Sequence, residues 1–107
     1  GGFYSSGVVG GRVSNNNKVW WVQAEALLSS CRLFSYYGKP EYADCFNKTL
    51  QWIAHRQADW GGGEWFERID QAGASHGIKA GEWKAAYHSG RSVLQCLSLL
   101  ASEEQIP

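Results

Sequence analysis

Residues 18–40 run KVWWVQAEALLSSCRLFSYYGKP. Trp20, Ala24, Leu27, Cys31 and Phe34 recur in a 4-3-4-3 rhythm. That is the period of one helix face, so the segment from about Lys18 to Tyr37 reads as an amphipathic helix. The preceding Ser14-Asn15-Asn16-Asn17 is turn chemistry and supplies an N-cap. Gly38 stands where a left-handed residue ends a helix, and Pro40 suits the first turn of the next one. The second helix reads from Pro40 to about Ala58, with Glu41 favourable at its positive end. Tyr42, Cys45, Phe46, Thr49, Trp52 and Ile53 form its buried face, and Gly61-Gly62-Gly63 ends it. Two long antiparallel helices joined by Gly-Lys-Pro make an αα-hairpin.

Outward from this hairpin the signals are shorter. Residues 1–17 read as a small hairpin and loop, with Phe3-Tyr4 and Arg12-Val13 flanking a Gly-rich centre. Residues 64–86 read as a tight hairpin around Glu64-Trp65-Phe66-Glu67 followed by a long loop. A third helix is expected from about Ala86 to Ser102, with Val93, Leu94, Leu97 and Leu100 inward, and Glu103–Pro107 as a fraying tail. The fold class is therefore mainly α: about three long helices with short β-hairpins in the loops. The motif-bearing residues lie before the first helix and after the second, which gathers the functional loops at one end of the helical layer.

Composition narrows the function. The chain has 107 residues, enough for one domain or part of one. Ten Lys+Arg balance ten Asp+Glu, which argues against a nucleic-acid-binding surface, since phosphate neutralisation needs a basic excess. No apolar stretch approaches the roughly 20 residues of a bilayer span. The start Gly1-Gly2-Phe3-Tyr4 lacks a Met and does not resemble a signal peptide. Cys31, Cys45 and Cys96 are odd in number and widely spaced, a pattern of buried thiols in a reducing, cytoplasmic setting and not of a disulfide or zinc framework. Six Trp stand near clusters of glycine. Indole faces at a cleft stack against the C–H faces of sugars; the same residues could simply fill a helical core.

Candidate chemistry centres on His88, in Trp83-Lys84-Ala85-Ala86-Tyr87-His88-Ser89-Gly90-Arg91. His88 and Arg91 are three apart and share a helix face. The imidazole suits a general base and the guanidinium an oxyanion partner, although a hydrogen-bonded structural His fits the same spacing. Trp21 and Glu25, four apart, could grip a polyhydroxylated ligand, with Gln23 and Lys18 nearby; a surface Trp and Glu would look the same. Glu64, Glu67, Asp70 and Glu82 offer carboxylates for glycoside hydrolysis, or are structural. His55 and His76 stand in no metal-binding spacing, and no phosphate-binding glycine motif is present.

Three blocks together resemble the N-acylglucosamine 2-epimerase family, which includes cellobiose 2-epimerases and related sugar isomerases. Lys18-Val19-Trp20-Trp21-Val22-Gln23-Ala24-Glu25 resembles its K-x-W-W-x-Q-A-E helix start. Gly63-Glu64-Trp65-Phe66 with Asp70 and Gly73 resembles its G-E-W-F…D…G hairpin. Lys79, Trp83-Lys84 and Tyr87-His88-x-x-Arg91 resemble its closing block. The resemblance implies that residues 1–107 are a single partial domain, the C-terminal part of an (α/α)6 barrel, with the sugar at the loop end. It implies that His88 is one of two acid/base histidines, that Trp21 and Trp83 line the sugar pocket, and that Arg91 belongs to the same region. Glu25 and Lys84 would be pocket residues or their supports. No metal or nicotinamide cofactor is implied. The family's other histidine lies far upstream in a His-x-x-Glu-type context, which no segment here matches. The chain therefore reads as a truncated epimerase or aldose–ketose isomerase segment that forms a homo-oligomer over its open helix faces. The alternative is a non-catalytic sugar-binding or structural remnant.

Overall fold

The computed structural model describes residues 1–104. A two-stranded sheet pairs β1 (Ser6–Gly7) with β2 (Val13–Asn15), the small hairpin expected near the N-terminus. Then follow β3 (Lys18–Val19), α1 (Trp20–Tyr37) and α2 (Pro40–Trp52), which passes into a π-helical turn, Ile53–Gln57. After these come β4 (Arg68–Ile69), β5 (Ser75–His76) and α3 (Tyr87–Glu104). β3, β4 and β5 form an antiparallel sheet in that order, with Lys18 opposite Ile69 and Arg68 opposite His76.

The αα-hairpin forms as expected, and its two ends differ in what stops them. At the C-terminus of α1, Gly38 adopts φ 66° and donates its N–H to the Phe34 carbonyl at 2.7 Å. At the N-terminus the expected Asn cap is absent. Val19 occupies the cap position in an extended conformation with no side-chain bond. Lys18 and Val19 are instead a strand, and the Trp20 N–H donates to the Glu67 carbonyl at 2.9 Å. A distant segment thus satisfies one of the first-turn donors that have no partner within the helix.

The second helix also ends differently from the expectation. Past Trp52 the backbone widens by one residue per turn, and Ala58 N–H reaches the Ile53 carbonyl at 2.8 Å. The widening carries Gln57 into the interior. There it accepts from Trp52 Nε1 at 3.0 Å and donates to the Phe66 carbonyl at 2.7 Å. The three glycines lie beyond the end, in a turn whose N–H groups Gly61 and Gly62 are taken by the Asp59 carboxylate. A single bridge, Ala58 to Trp65, replaces the hairpin expected around Glu64–Glu67. The actual hairpin lies later, with Asp70–Ala74 as its turn between β4 and β5.

The core lies where α1 meets α2 and α3: Leu27, Leu28, Cys31, Ile53 and Cys96, with Phe46, Trp52, Trp65 and Leu99 packed on it. The stripe read from α1 and the buried face read from α2 both point this way. The face of α3 does not. Leu94 is 69% and Leu97 58% exposed, and Val93 and Leu100 are exposed with them. Ser89, Ser92 and Cys96 face inward instead. Small side chains let α3 approach α1 closely, and the Ser92 hydroxyl is satisfied by the Ser89 carbonyl at 3.0 Å. The leucines are left on a surface that these residues do not cover. The tail expected to fray remains helical through Glu104, and the rest of it lies outside the described residues.

Candidate functional site at the start of the third helix

α3 begins against the first turns of α1, and this contact assembles four of the side chains singled out from the sequence. His88, in the first turn of α3, sets Nδ1 2.9 Å from Glu25 Oε1 on α1. Arg91, one turn further, donates Nη2 to the same carboxylate oxygen. The Trp21 ring lies 6.0 Å from the imidazole, tilted by 43°. Each of His88, Glu25 and Arg91 keeps a quarter to a third of its side chain accessible, so the cluster is open to solvent.

The electrostatics order this cluster. The hydrogen bond from Arg91 holds the Glu25 carboxyl below its usual range against the opposing effect of burial, and the His88 bond adds to it. An ionised Glu25 can only accept. Nδ1 therefore carries a proton and donates it, which leaves Nε2 as the ring nitrogen free to exchange a proton. Among the described residues no side chain or carbonyl bonds to Nε2. Arg91 is held protonated by the same contact. Its charge is thus engaged by Glu25, not held free for an oxyanion, and its guanidinium also lies over the Tyr87 ring at 5.3 Å.

Two aromatic neighbours were not assigned to the site from sequence. Tyr87 stands edge-on to His88 at 4.9 Å, and Trp20, counted above only as core, stands edge-on at 6.5 Å. An i, i+1 pair of Trp at the helix start was the available signal: one ring faces the core and the other the solvent, and the imidazole lies against both. Trp20 Nε1 and Arg91 Nε are buried without an acceptor among the described residues.

Trp83 and Lys84 occupy a separate but adjoining position. Together with Trp20, Glu67, Ile78 and Glu82 they line a cleft of about 330 Å³. Trp83 is 89% exposed. Lys84 is 2% exposed and turns inward, donating to the Lys79 carbonyl at 2.7 Å and lying 3.4 Å from Glu64 Oε1. Lys18 and Gln23 point away from Glu25. Lys18 Nζ lies over the Trp52 ring at 3.9 Å, and Gln23 is fully buried, exchanging hydrogen bonds with both backbone groups of Phe3.

The other candidates separate. Asp70 accepts from His76 Nε2 at 2.6 Å, and that bond holds its carboxyl below the usual range. Burial pushes Glu64 up, but the Trp65 N–H, Lys84 and Ser89 bring it below the usual range overall. Neither is the proton-loaded acid that glycoside hydrolysis requires. His55 bonds its own helix, Nδ1 to the Gln51 carbonyl at 2.9 Å. Among the described residues no group of three or more His, Cys, Asp or Glu could hold a metal ion.

Comparison with known proteins extends this picture. A family model described as N-acylglucosamine 2-epimerase matches residues 1–92. A cellobiose 2-epimerase of Eubacterium cellulosolvens is 37% identical over 94 residues, covering 86% of this chain and 22% of the relative. An N-acylglucosamine 2-epimerase of Mus musculus is 30% identical over 88 residues, 81% of this chain and 21% of the relative. Among solved structures, the cellobiose 2-epimerase of Spirochaeta thermophila superposes with a TM-score of 0.78 at 32% identity, over 85% of this chain and 23% of that one. A D-mannose isomerase superposes with a TM-score of 0.84 over 92% of this chain and 25% of that one; at 22% identity it speaks for the fold alone. These neighbours have the (α/α)6 fold, of which the three helices here form a part. The chain spans between a fifth and a quarter of the length of the proteins it matches.

Proposed function

The chain belongs to the N-acylglucosamine 2-epimerase family, and from that premise we propose that it carries one half of the proton-transfer machinery of a sugar 2-epimerase or aldose–ketose isomerase. His88 is the acid/base residue. The observation that carries this reading is the Arg91–Glu25–His88 chain, which fixes the imidazole by Nδ1 and leaves Nε2 without a bond among the described residues, with the Trp21 ring 6.0 Å from the imidazole.

The chemistry follows from the substrate. In a ring-opened aldose the C1 carbonyl acidifies the C2 proton. Nε2 takes that proton, and the C–H electron pair moves toward C1 to give an enediolate. A proton returned to C2 from the opposite face gives the epimer; one returned to C1, with the O2 proton passing to O1 so that C2 becomes the carbonyl, gives the ketose. A positioned imidazole can both take and return the proton. Trp21 and Trp83 stack against the sugar, Arg91 and Glu25 orient the base, and Lys84 supports the loop that carries Trp83. The opposing acid comes from outside the residues described, since His55 and His76 are each committed to local partners. Residues 1–107 would then form one part of a barrel domain, working in a reducing compartment such as the cytoplasm.

A base on one face suffices to wash the C2 proton into solvent. In D2O, the chain incubated with cellobiose, an N-acylglucosamine or D-mannose should exchange that proton. His88→Ala should slow the exchange by about 100-fold or more. No exchange by the unmodified chain, or equal exchange by the variant, would remove the catalytic reading.

The exposed face of α3 favours a companion proposal, that this chain self-associates to cover it. It also keeps in view the non-catalytic alternative of a sugar-binding or structural piece. Sugar-dependent tryptophan fluorescence without C2 exchange would favour that alternative.

A further inference from the structure

Glu64 has φ 60° and is the one non-glycine residue with positive φ among those described. A side chain rarely stands in this conformation without a compensating role. Three glycines precede the position in sequence, yet a glutamate stands there, and its carboxylate makes three bonds. Oε1 accepts from its neighbour Trp65 N–H at 3.0 Å, from Ser89 Oγ at 3.1 Å, and from Lys84 Nζ at 3.4 Å. Ser89 follows His88 in the chain, and Lys84 precedes it by four residues. Both are buried. Lys84 Nζ is further tied to the Lys79 carbonyl, while Lys79 pairs with Asp59 at the base of the same Gly-rich turn. One carboxylate therefore holds a buried side chain on each side of His88 in the chain, Lys84 before it and Ser89 after it.

We propose that Glu64 is a positioning residue for His88. Glu25 orients the ring by its Nδ1; Glu64 holds the first turn of α3, from which the ring projects. The two anchors act on different parts of the residue. A 2.9 Å bond to Glu25 stays short only while the helix start stays in place. This inference rests on the reading of His88 as the proton-transfer residue, but its test needs no substrate.

Nitrogen-15 spectra of the histidines in the full chain report which ring nitrogen carries the proton. Glu64→Gly relieves the backbone conformation and removes the carboxylate. The expected result is a folded chain in which His88 loses its Nδ1–H signature, while His55 and His76, held by local bonds, keep theirs. Glu64→Gln still accepts from Ser89 and should keep most of the His88 signature. An unchanged His88 pattern in Glu64→Gly overturns the proposal; so does an equal shift of all three histidines, which would mark a general loosening. Should Glu64→Gly fail to fold, Ser89→Ala serves instead, with loss of the Nδ1–H form at His88 expected and an unchanged pattern overturning it. Absent C2 exchange in the unmodified chain removes the catalytic reading and leaves this measurement standing, so the two failures are distinguishable.

Discussion

The carboxylate of Glu25 is the residue on which the site's geometry turns, because it receives both Arg91 and His88. Its folded value lies below the ordinary 4.5. The contribution of that pairing to stability is therefore complete above about this pH and is lost as pH falls through the lowered folded value. Arg91→Met removes the partner that depresses it most. The stability gap between the unmodified chain and Arg91→Met should be widest near neutral pH and should narrow in acid, as read by urea unfolding at several pH values. A gap that does not change with pH would mean that Arg91 acts through packing alone. Cys96 shows the opposite sign: burial, with Cys31 beside it, pushes its thiol up to about 12. Its thiolate is scarce at neutral pH, so iodoacetamide should modify the half-buried Cys45 well before Cys96, as peptide mass mapping would read; equal rates would contradict the packing of α3 on α1.

At the scale of the elements, the helix ends and the α3 face carry different weights. Gly38 has open space where a Cβ would stand, so its substitution is a pure test of the left-handed backbone. Gly38→Ala should cost about 1 kcal/mol of unfolding free energy and Gly38→Asn less. The inward face of α3 is close-packed. Ser92 is fully buried, and Ser92→Val should cost about 1–3 kcal/mol by overpacking. Leu97→Glu, on the opposite face, should change the stability of the isolated chain by only about 0.5 kcal/mol. A reversed order for Ser92 and Leu97 in denaturant titration would mean that α3 is rotated from the orientation described. The hydrophobic rhythm of α1 and α2 was legible because each presents one apolar stripe to one core. The rhythm of α3 misled because its leucines serve a different surface, while serines and a cysteine serve the core.

The whole molecule is a slab, 45 × 36 × 23 Å. Its radius of gyration is 14.5 Å, against about 13 Å for a self-contained domain of this length. Among the described residues eight hydrophobic side chains are buried and eighteen large ones are exposed. Such a surface is the kind that associates. Size-exclusion chromatography with light scattering should give a dimer or larger species at micromolar concentration, and Leu97→Glu should shift it toward monomer. A clean monomer for the unmodified chain would overturn the self-association proposal. It would leave the His88 cluster untouched, since that cluster lies within one chain.

Local chemistry was enough to read three helices, the Gly38–Pro40 corner, the N-terminal hairpin and the shared helix face of His88 and Arg91, because period and turn residues act over a few positions. The meeting of Glu25 with His88, 63 residues apart, was legible only as two separate hints. Their contact depends on how α3 docks on α1. The cap of α1 by Glu67, the π-turn that buries Gln57, and the inward turn of Lys84 toward Glu64 were not legible at all. Each satisfies a polar group with a partner on another segment, and which partner arrives is decided by the packing of the folded chain.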